Sequence, residues 1–184
     1  MPDILQLVAM PEIRLPRDVT PVPVMPGYPQ SGMIRQAHAL WLSACGDRDL
    51  PARADLLAAL PGSLKPFTIL FAIETAPLDF RYVEIGARVQ AVSNADNTGR
   101  RLAELPHQRP PSKVWDHLSA AFDARAPVKG VLPYVGKSRD FSSVFHIVLP
   151  LSEDGAAVDH LLVCVDLTPA LRLDDGIHPF TQLG

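Results

Sequence analysis

The chain places its β-forming segments in two clusters with a helical stretch between them, and this order limits the fold more than any other feature. Residues 67–74, FTILFAIE, are rich in β-branched and aromatic side chains, as strands are. Residues 80–90, FRYVEIGARVQ, follow the turn signal Pro77-Leu78-Asp79, and the two runs make a hairpin. The second cluster holds three more runs, 128–135, 141–151 and 160–167; the last two are joined by EDGAAV, whose Asp-Gly step favours a tight antiparallel connection. Between the clusters, residues 113–125 carry Val114, Trp115, Leu118, Ala121 and Phe122 on one helical stripe, with Ser112 placed to cap it. Strands grouped as hairpins, rather than alternating singly with helices, argue for an antiparallel sheet with helices gathered on one face, an α+β domain.

Upstream, residues 33–45 set Met33, Ile34, Ala37, Leu40, Trp41 and Ala44 on one stripe of a helix that ends at Gly46. A second short helix spans 53–60 and stops at Pro61-Gly62. Seven of the 19 prolines fall in the first thirty residues, which excludes an ordinary helix or central strand there. The expected organisation is a Pro-rich arm (1–32), one domain with its N-terminal helix (33–168) and a tail (169–184). Pro133 removes a ladder donor from 128–135 and assigns that strand to a sheet edge.

Charge and cysteine usage bound the partners. A formal net charge of −3 leaves no basic footprint for nucleic acid. No apolar run reaches membrane-spanning length, and no basic start followed by an apolar run marks a signal peptide. Cys45 and Cys164 stand far apart outside any metal or redox spacing, as reduced buried thiols of a cytoplasmic protein would.

Residues 93–105, SNADNTGRRLAEL, look at first like a ligand loop. Asn94, Asp96, Thr98 and Gly99 follow the first part of a calcium-loop pattern, but Leu105 stands where the bidentate carboxylate belongs. A single Gly is too few for a phosphate cradle. The segment reads as a turn from a strand into a helical stretch, with Gly99 serving the backbone and Asp96 or Thr98 capping.

Two stretches carry a family resemblance. LWLSACGDRDLPARADL resembles the entry segment of the single-domain PAS proteins of alphaproteobacteria, and FRYVEIGARVQAVSNADNTGRRLAEL resembles that family's strand ending in Gly followed by a D-x-T-G-R-x-L turn. Asn94 stands where the family often has Gly, and Asn tolerates the same turn. With the three C-terminal strands, the resemblance covers roughly residues 33–168. It implies a PAS-like five-stranded antiparallel sheet of order 2-1-5-4-3, with 128–135 at an edge and 160–167 central. It also implies signal transduction, a stand-alone domain whose output passes to a partner such as a histidine kinase or another PAS protein, and a dimer made by the outer sheet face and an N-terminal helix.

PAS cores in some members hold haem, flavin or a metabolite, and each can be asked of these residues. No Cys lies in the helical segment for a flavin adduct, and His117 falls about 100° from the centre of its helix stripe, facing solvent, so neither flavin nor haem is expected. His146 reads as a sheet-face histidine, His38 borders the first helix's apolar stripe, and His107, His160 and His178 are isolated, so no metal site is expected. Asp79, Glu84 and Asp166 lie on separate elements and form no acid–base pair, so no catalytic residues are assigned. A candidate core pocket is drawn from Phe71, Val83, Ile85, Trp115, Phe122 and Phe145. A candidate interaction surface is drawn from Ile34, Ala37 and Trp41 with Val144, Val148 and Leu162, because strands 141–151 and 160–167 are apolar on both faces and need a cover. The resulting expectation is a non-catalytic cytoplasmic sensor or adaptor acting by protein–protein contact, a homodimer without cofactor. The alternative is a PAS sensor with a small metabolite in its core, and a small enzyme on the same α+β frame is the third reading.

Overall fold

A computed structural model describes residues 31–134, 136–138 and 143–167, so the expected tail and all of the expected arm before Ser31 lie outside the described residues. The elements are α1 (Gly32–Cys45), α2 (Arg53–Ala59), β1 (Thr68–Thr75), β2 (Leu78–Ile85), α3 (Ala87–Val92), α4 (Lys113–Ala124), β3 (Val128–Pro133), β4 (Ser143–Leu151) and β5 (His160–Asp166). Short 3-10 turns cover Lys65–Phe67 and Leu102–Glu104. The five strands form one antiparallel sheet of order β2-β1-β5-β4-β3, an α+β fold with β5 at its centre and the strand order that the resemblance implies.

Local chemistry accounts for the boundaries. Ser31 and Ser112 accept hydrogen bonds from the backbone N–H groups of Ile34 (3.3 Å) and Trp115 (3.1 Å), capping α1 and α4. Gly46 ends α1 at φ 54°, a conformation that glycine adopts without steric cost. Ser31 and Gly32, expected in the arm, thus belong to the first helix. The second strand ends at Ile85, and residues 87–90, expected to continue it, turn into α3. Gly86 makes the corner because the backbone of the Lys65–Phe67 turn presses on it: a Cβ there would sit 2.5 Å from the carbonyl oxygens of Lys65 and Pro66.

Residues 93–105 are a turn, as their composition suggests. The Asp96 carboxylate accepts hydrogen bonds from the Thr98 amide (2.9 Å) and hydroxyl (2.7 Å), and Gly99 takes φ 83°. The turn then lies along β2, where the Gly99 N–H donates to Tyr82 O (2.8 Å) and the Tyr82 N–H donates to Arg100 O (3.0 Å). Arg101 and Arg81 both pair with Glu74, at 2.6 and 3.1 Å, and fix the turn's exit.

Each face of the sheet has its own cover. On the inner face lie α3, α4 and the turns between β2 and β3. On the outer face, α1 packs against β4 and β5 through Ile34, Ala37, Trp41 and Cys45, spaced so that all four point the same way. Trp41 is 6% exposed, and its indole N–H donates to Pro150 O at 2.7 Å. The outer face is therefore covered within one chain.

Alternation along β4 assigns its faces. Val144, His146 and Val148 point inward with α4, while Phe145, Ile147 and Leu149 point outward. This reverses the expectation for Val144, Val148 and Phe145. The strand is apolar on both sides, so its pattern fixes which residues share a face but not which face is inside. Leu162 is on the outer face, beside Leu57 and Leu60 of the α2 segment.

Candidate functional site

Between the inner face and α3–α4 lies a cavity of about 370 Å³. Its floor is apolar, with Ile69 and Phe71 from β1, Val144 and Val148 from β4, and Val163 and Val165 from β5. Val89 and Val92 of α3 and Val114 and Leu118 of α4 form the roof. Asn94, Asn97, Arg100, His107 and Gln108 line it from the 93–108 connection, which supplies most of the polar groups. Two contacts hold these walls. The Tyr82 hydroxyl, on β2, donates to Gln108 Oε1 at 2.6 Å. The Tyr134 hydroxyl, just past β3, donates to Val92 O at 2.6 Å and receives the Ser138 N–H at 3.1 Å. Burial pushes the Tyr82 hydroxyl up to about 12, so it stays protonated.

One polar pair sits against this apolar wall. His117 of α4 and His146 of β4 stack at 23° with ring centroids 4.9 Å apart, and His117 Nδ1 lies 3.0 Å from His146 Nε2. His146 is 2% exposed. Burial first, and the neighbouring His117 charge second, push its pKa down to about 3. His117 is lowered as well, chiefly by burial. Both rings are thus neutral near pH 7. The Nδ1 atom of His146 is buried and has no hydrogen-bond partner among the described residues. Space for the pair comes from Gly130 on β3, directly opposite His146 in the ladder. A Cβ on Gly130 would lie 2.5 Å from His117 Cε1 and 3.0 Å from His146 Cε1.

His117 is half-buried and lines the cavity, whereas its expected position was the solvent face. An angular offset from the stripe centre does not expose a side chain when the helix lies in an open cleft, because a wide arc of its surface meets the cavity. Of the six residues drawn for a core pocket, Phe71 lines the cavity. Val83 occupies the register shift between β1 and β2, where Leu70 pairs with Glu84 and Phe71 with Tyr82. Ile85 pairs with Ile69. Trp115 packs edge-on against Phe80 at 5.2 Å, Phe122 is partly buried against the hydrophobic core, and Phe145 is on the α1 side. Of the six drawn for an interaction surface, Ile34, Ala37, Trp41 and Leu162 meet on the outer face, while Val144 and Val148 are in the cavity.

Other chemistry-bearing groups are held in structural contacts. Glu153, Asp159 and His160 approach within 4.8 Å of one another, so His160 is not isolated. The positive charge there is Arg53, which pairs with Glu153 at 2.8 Å and reaches His160 Nε2 at 3.1 Å, tying α2 to the β4–β5 turn. Asp79 Oδ1 accepts the backbone N–H groups of Phe80 (2.8 Å) and Ala103 (3.4 Å) and anchors the Leu102–Glu104 turn. Cys45 and Cys164 are free and buried, and burial raises their thiols to about 11 and about 12, which keeps them protonated and unreactive. The cavity's contributors from 93–108 carried no signal for a cavity in the sequence, because only the folded path of that connection brings them over the sheet. Gly130 had a signal of its own, since a Gly inside a strand marks a close approach.

No family model matches the chain, and no curated protein does. Among solved structures, it is similar to a sensory box sensor histidine kinase from Vibrio cholerae, with 18% identity over 71% of this chain and 95% of that one and a TM-score of 0.40. It is also similar to a fungal LOV domain photoreceptor, with 19% identity over 60% of this chain and 85% of that one and a TM-score of 0.39. Neither comparison carries the narrower resemblance to the alphaproteobacterial stand-alone family.

Proposed function

We propose that the chain is a non-catalytic PAS-type sensor domain that reports the occupancy of its inner cavity to a signalling partner. The observation that carries this reading is the cavity itself. Its volume, about 370 Å³, falls within the roughly 300–1,000 Å³ of small-molecule sites, and its wall is apolar with a few convergent polar groups. Both cysteines are buried with their thiols held protonated. The adaptor reading rested on an apolar outer face in need of a partner, and α1 of the same chain covers that face. Relay to a histidine kinase or another PAS protein, and a homodimeric unit, belong to the proposal through the family resemblance alone. A cytoplasmic setting is part of it too, supported by the two free thiols. Among the described residues no helix is long and apolar enough to cross a membrane.

Native mass spectrometry tests the reading. The chain purified gently from cells should carry a small-molecule adduct, and Val148→Trp, which fills the cavity from its floor, should lose that adduct while keeping its circular dichroism spectrum. Identical spectra for the two proteins would remove the sensor reading.

A further inference from the structure

The cavity's lining is graded from a buried apolar floor to an open polar mouth. Phe71, Val148, Val163 and Val165 on the sheet and Leu118 on α4 are buried. The 93–108 connection lines another side, where Ser93, Asn97 and Gln108 are half-buried and Asn94, Arg100 and His107 are exposed. Charge is as uneven as polarity. Among the described residues of the lining, Arg100 is the one Lys or Arg side chain, and none is Asp or Glu. Its guanidinium is loosely engaged: Nη2 donates to Glu104 O at 3.4 Å, and Nε lies 3.8 Å from the Glu104 carboxylate, beyond hydrogen-bond length. Glu104 lies outside the lining, and its carboxylate also accepts the Arg101 N–H at 3.4 Å. The Arg100 side chain is 47% exposed, so turning its flexible stem towards a group at the mouth breaks no buried contact.

We propose that the cavity takes an amphiphilic monoanion, a carboxylic acid whose apolar body fills the floor and whose carboxylate meets Arg100 at the mouth. This rests on the reading of the cavity as a ligand site and names the chemistry of its ligand. The gradient sets the orientation. The apolar body gains by leaving water, while a head among exposed residues keeps part of its hydration and avoids the cost of a buried charge. Arg100 sets the sign and the number of charges. The planar fork of a guanidinium matches a carboxylate with two parallel N–H donors. One guanidinium balances one negative charge, whereas a phosphate monoester carries nearly two. An ammonium head finds no carboxylate in the described lining. Size sets the other limit. An apolar cavity of about 150 Å³ takes a benzene ring, so this one of about 370 Å³ has room for a fused bicyclic body.

The test measures binding to the full chain by equilibrium dialysis for naphthoate, naphthalenemethanol and naphthylmethylamine, substituted at the same ring position. Transfer from water alone disfavours the two charged heads, so a preference for naphthoate reports the arginine. Naphthoate should bind about fivefold more tightly than the alcohol, the scale of a part-exposed ion pair of good geometry, and the amine should bind least. High salt should shrink the advantage of naphthoate and leave the alcohol unchanged. Arg100→Gln should bring naphthoate down to the level of the alcohol, and Glu104→Gln, which removes the competing carboxylate, should strengthen naphthoate alone. In ¹⁵N-labelled wild-type protein the Arg100 Nε–H resonance should shift on adding naphthoate and stay still on adding the alcohol, a readout that does not depend on any variant folding. Equal binding of naphthoate and the alcohol, or an advantage that survives Arg100→Gln, would overturn the anionic head; if both ligands are then lost in Val148→Trp, the cavity site stands. Naphthoate held equally by the wild type and Val148→Trp would be bound outside the cavity, which also overturns the proposal. Binding of none of the three would overturn both the head and the cavity reading.

Discussion

Burying His146 as a neutral ring makes the fold sensitive to acid, and the size of the effect follows from its titration. The ring's ordinary pKa is 6.5, and the folded protein pushes it down to about 3, with burial as the first cause and His117 as the second. Between these values the unfolded chain binds a proton that the folded chain refuses. The stability tied to the neutral ring is therefore fully present above pH 6.5 and is lost as the pH falls towards 3. At 2% exposure the ring has no solvent to moderate this. From about pH 7.5 to about pH 5 the loss through His146 alone is about 2 kcal/mol. His117 and His38, also lowered chiefly by burial, add to it in the same direction. Urea unfolding of the wild type and of His146→Leu at both pH values isolates the term, since carboxylates and the other histidines titrate in both proteins. The stability difference between the two should change by about 2 kcal/mol in favour of the variant as the pH drops, roughly a 1 M change in relative midpoint for a urea slope of about 2 kcal/mol/M. Midpoints that move in parallel would refute the linkage and with it the buried, neutral state of the ring.

Two further outcomes concern the frame around the site. Trp41→Phe keeps an aromatic ring on the outer face but removes the donor to Pro150 O, leaving a buried carbonyl unpaired; it should cost about 1–3 kcal/mol in chemical denaturation, and a cost near zero would mean that water replaces the indole. Gly86→Ala drives a Cβ into the Lys65 and Pro66 carbonyls and should cost about 2–3 kcal/mol or more, read as a lowered thermal midpoint, whereas Gly62→Ala, with open space around it, serves as the neutral control.

Much of the frame was legible because local signals agreed with the global arrangement. The two hairpin clusters, the Ser112 cap, the Gly46 stop and the edge placement of the Pro133 strand each follow from one or two residues whose chemistry admits few alternatives. The α1 stripe was legible for the same reason, but its partner was not: helical spacing says that Ile34, Ala37 and Trp41 need a cover and is silent on whose sheet supplies it. The orientation of β4 was hidden by its own hydrophobicity. Strict alternation identifies an inside only when one side is polar, and here Ile147 and Leu149 are as buried as Val148. The polar pair in the cavity was hidden more deeply, since His117 and His146 are 29 residues apart and meet only once α4 crosses the sheet. The end of β2 was missed because alternation continues through Gly86, and only the turn pressing on that glycine stops the strand.

The turn at Gly99–Arg101 has a consequence beyond its role as a connection. Sheets grow by adding strands at their edges, and an open edge invites a neighbouring molecule to do the same. On the β2 side, the backbone of this turn already takes the N–H and C=O of Tyr82, and Arg101 bridges Arg81. On the β3 side, the strand is six residues long, carries Lys129 and ends in Pro133, which has no N–H to offer. Among the described residues, the turn occupies part of the β2 margin and Pro133 ends the β3 margin. Both features shorten the edge that a strand from a neighbouring molecule could join.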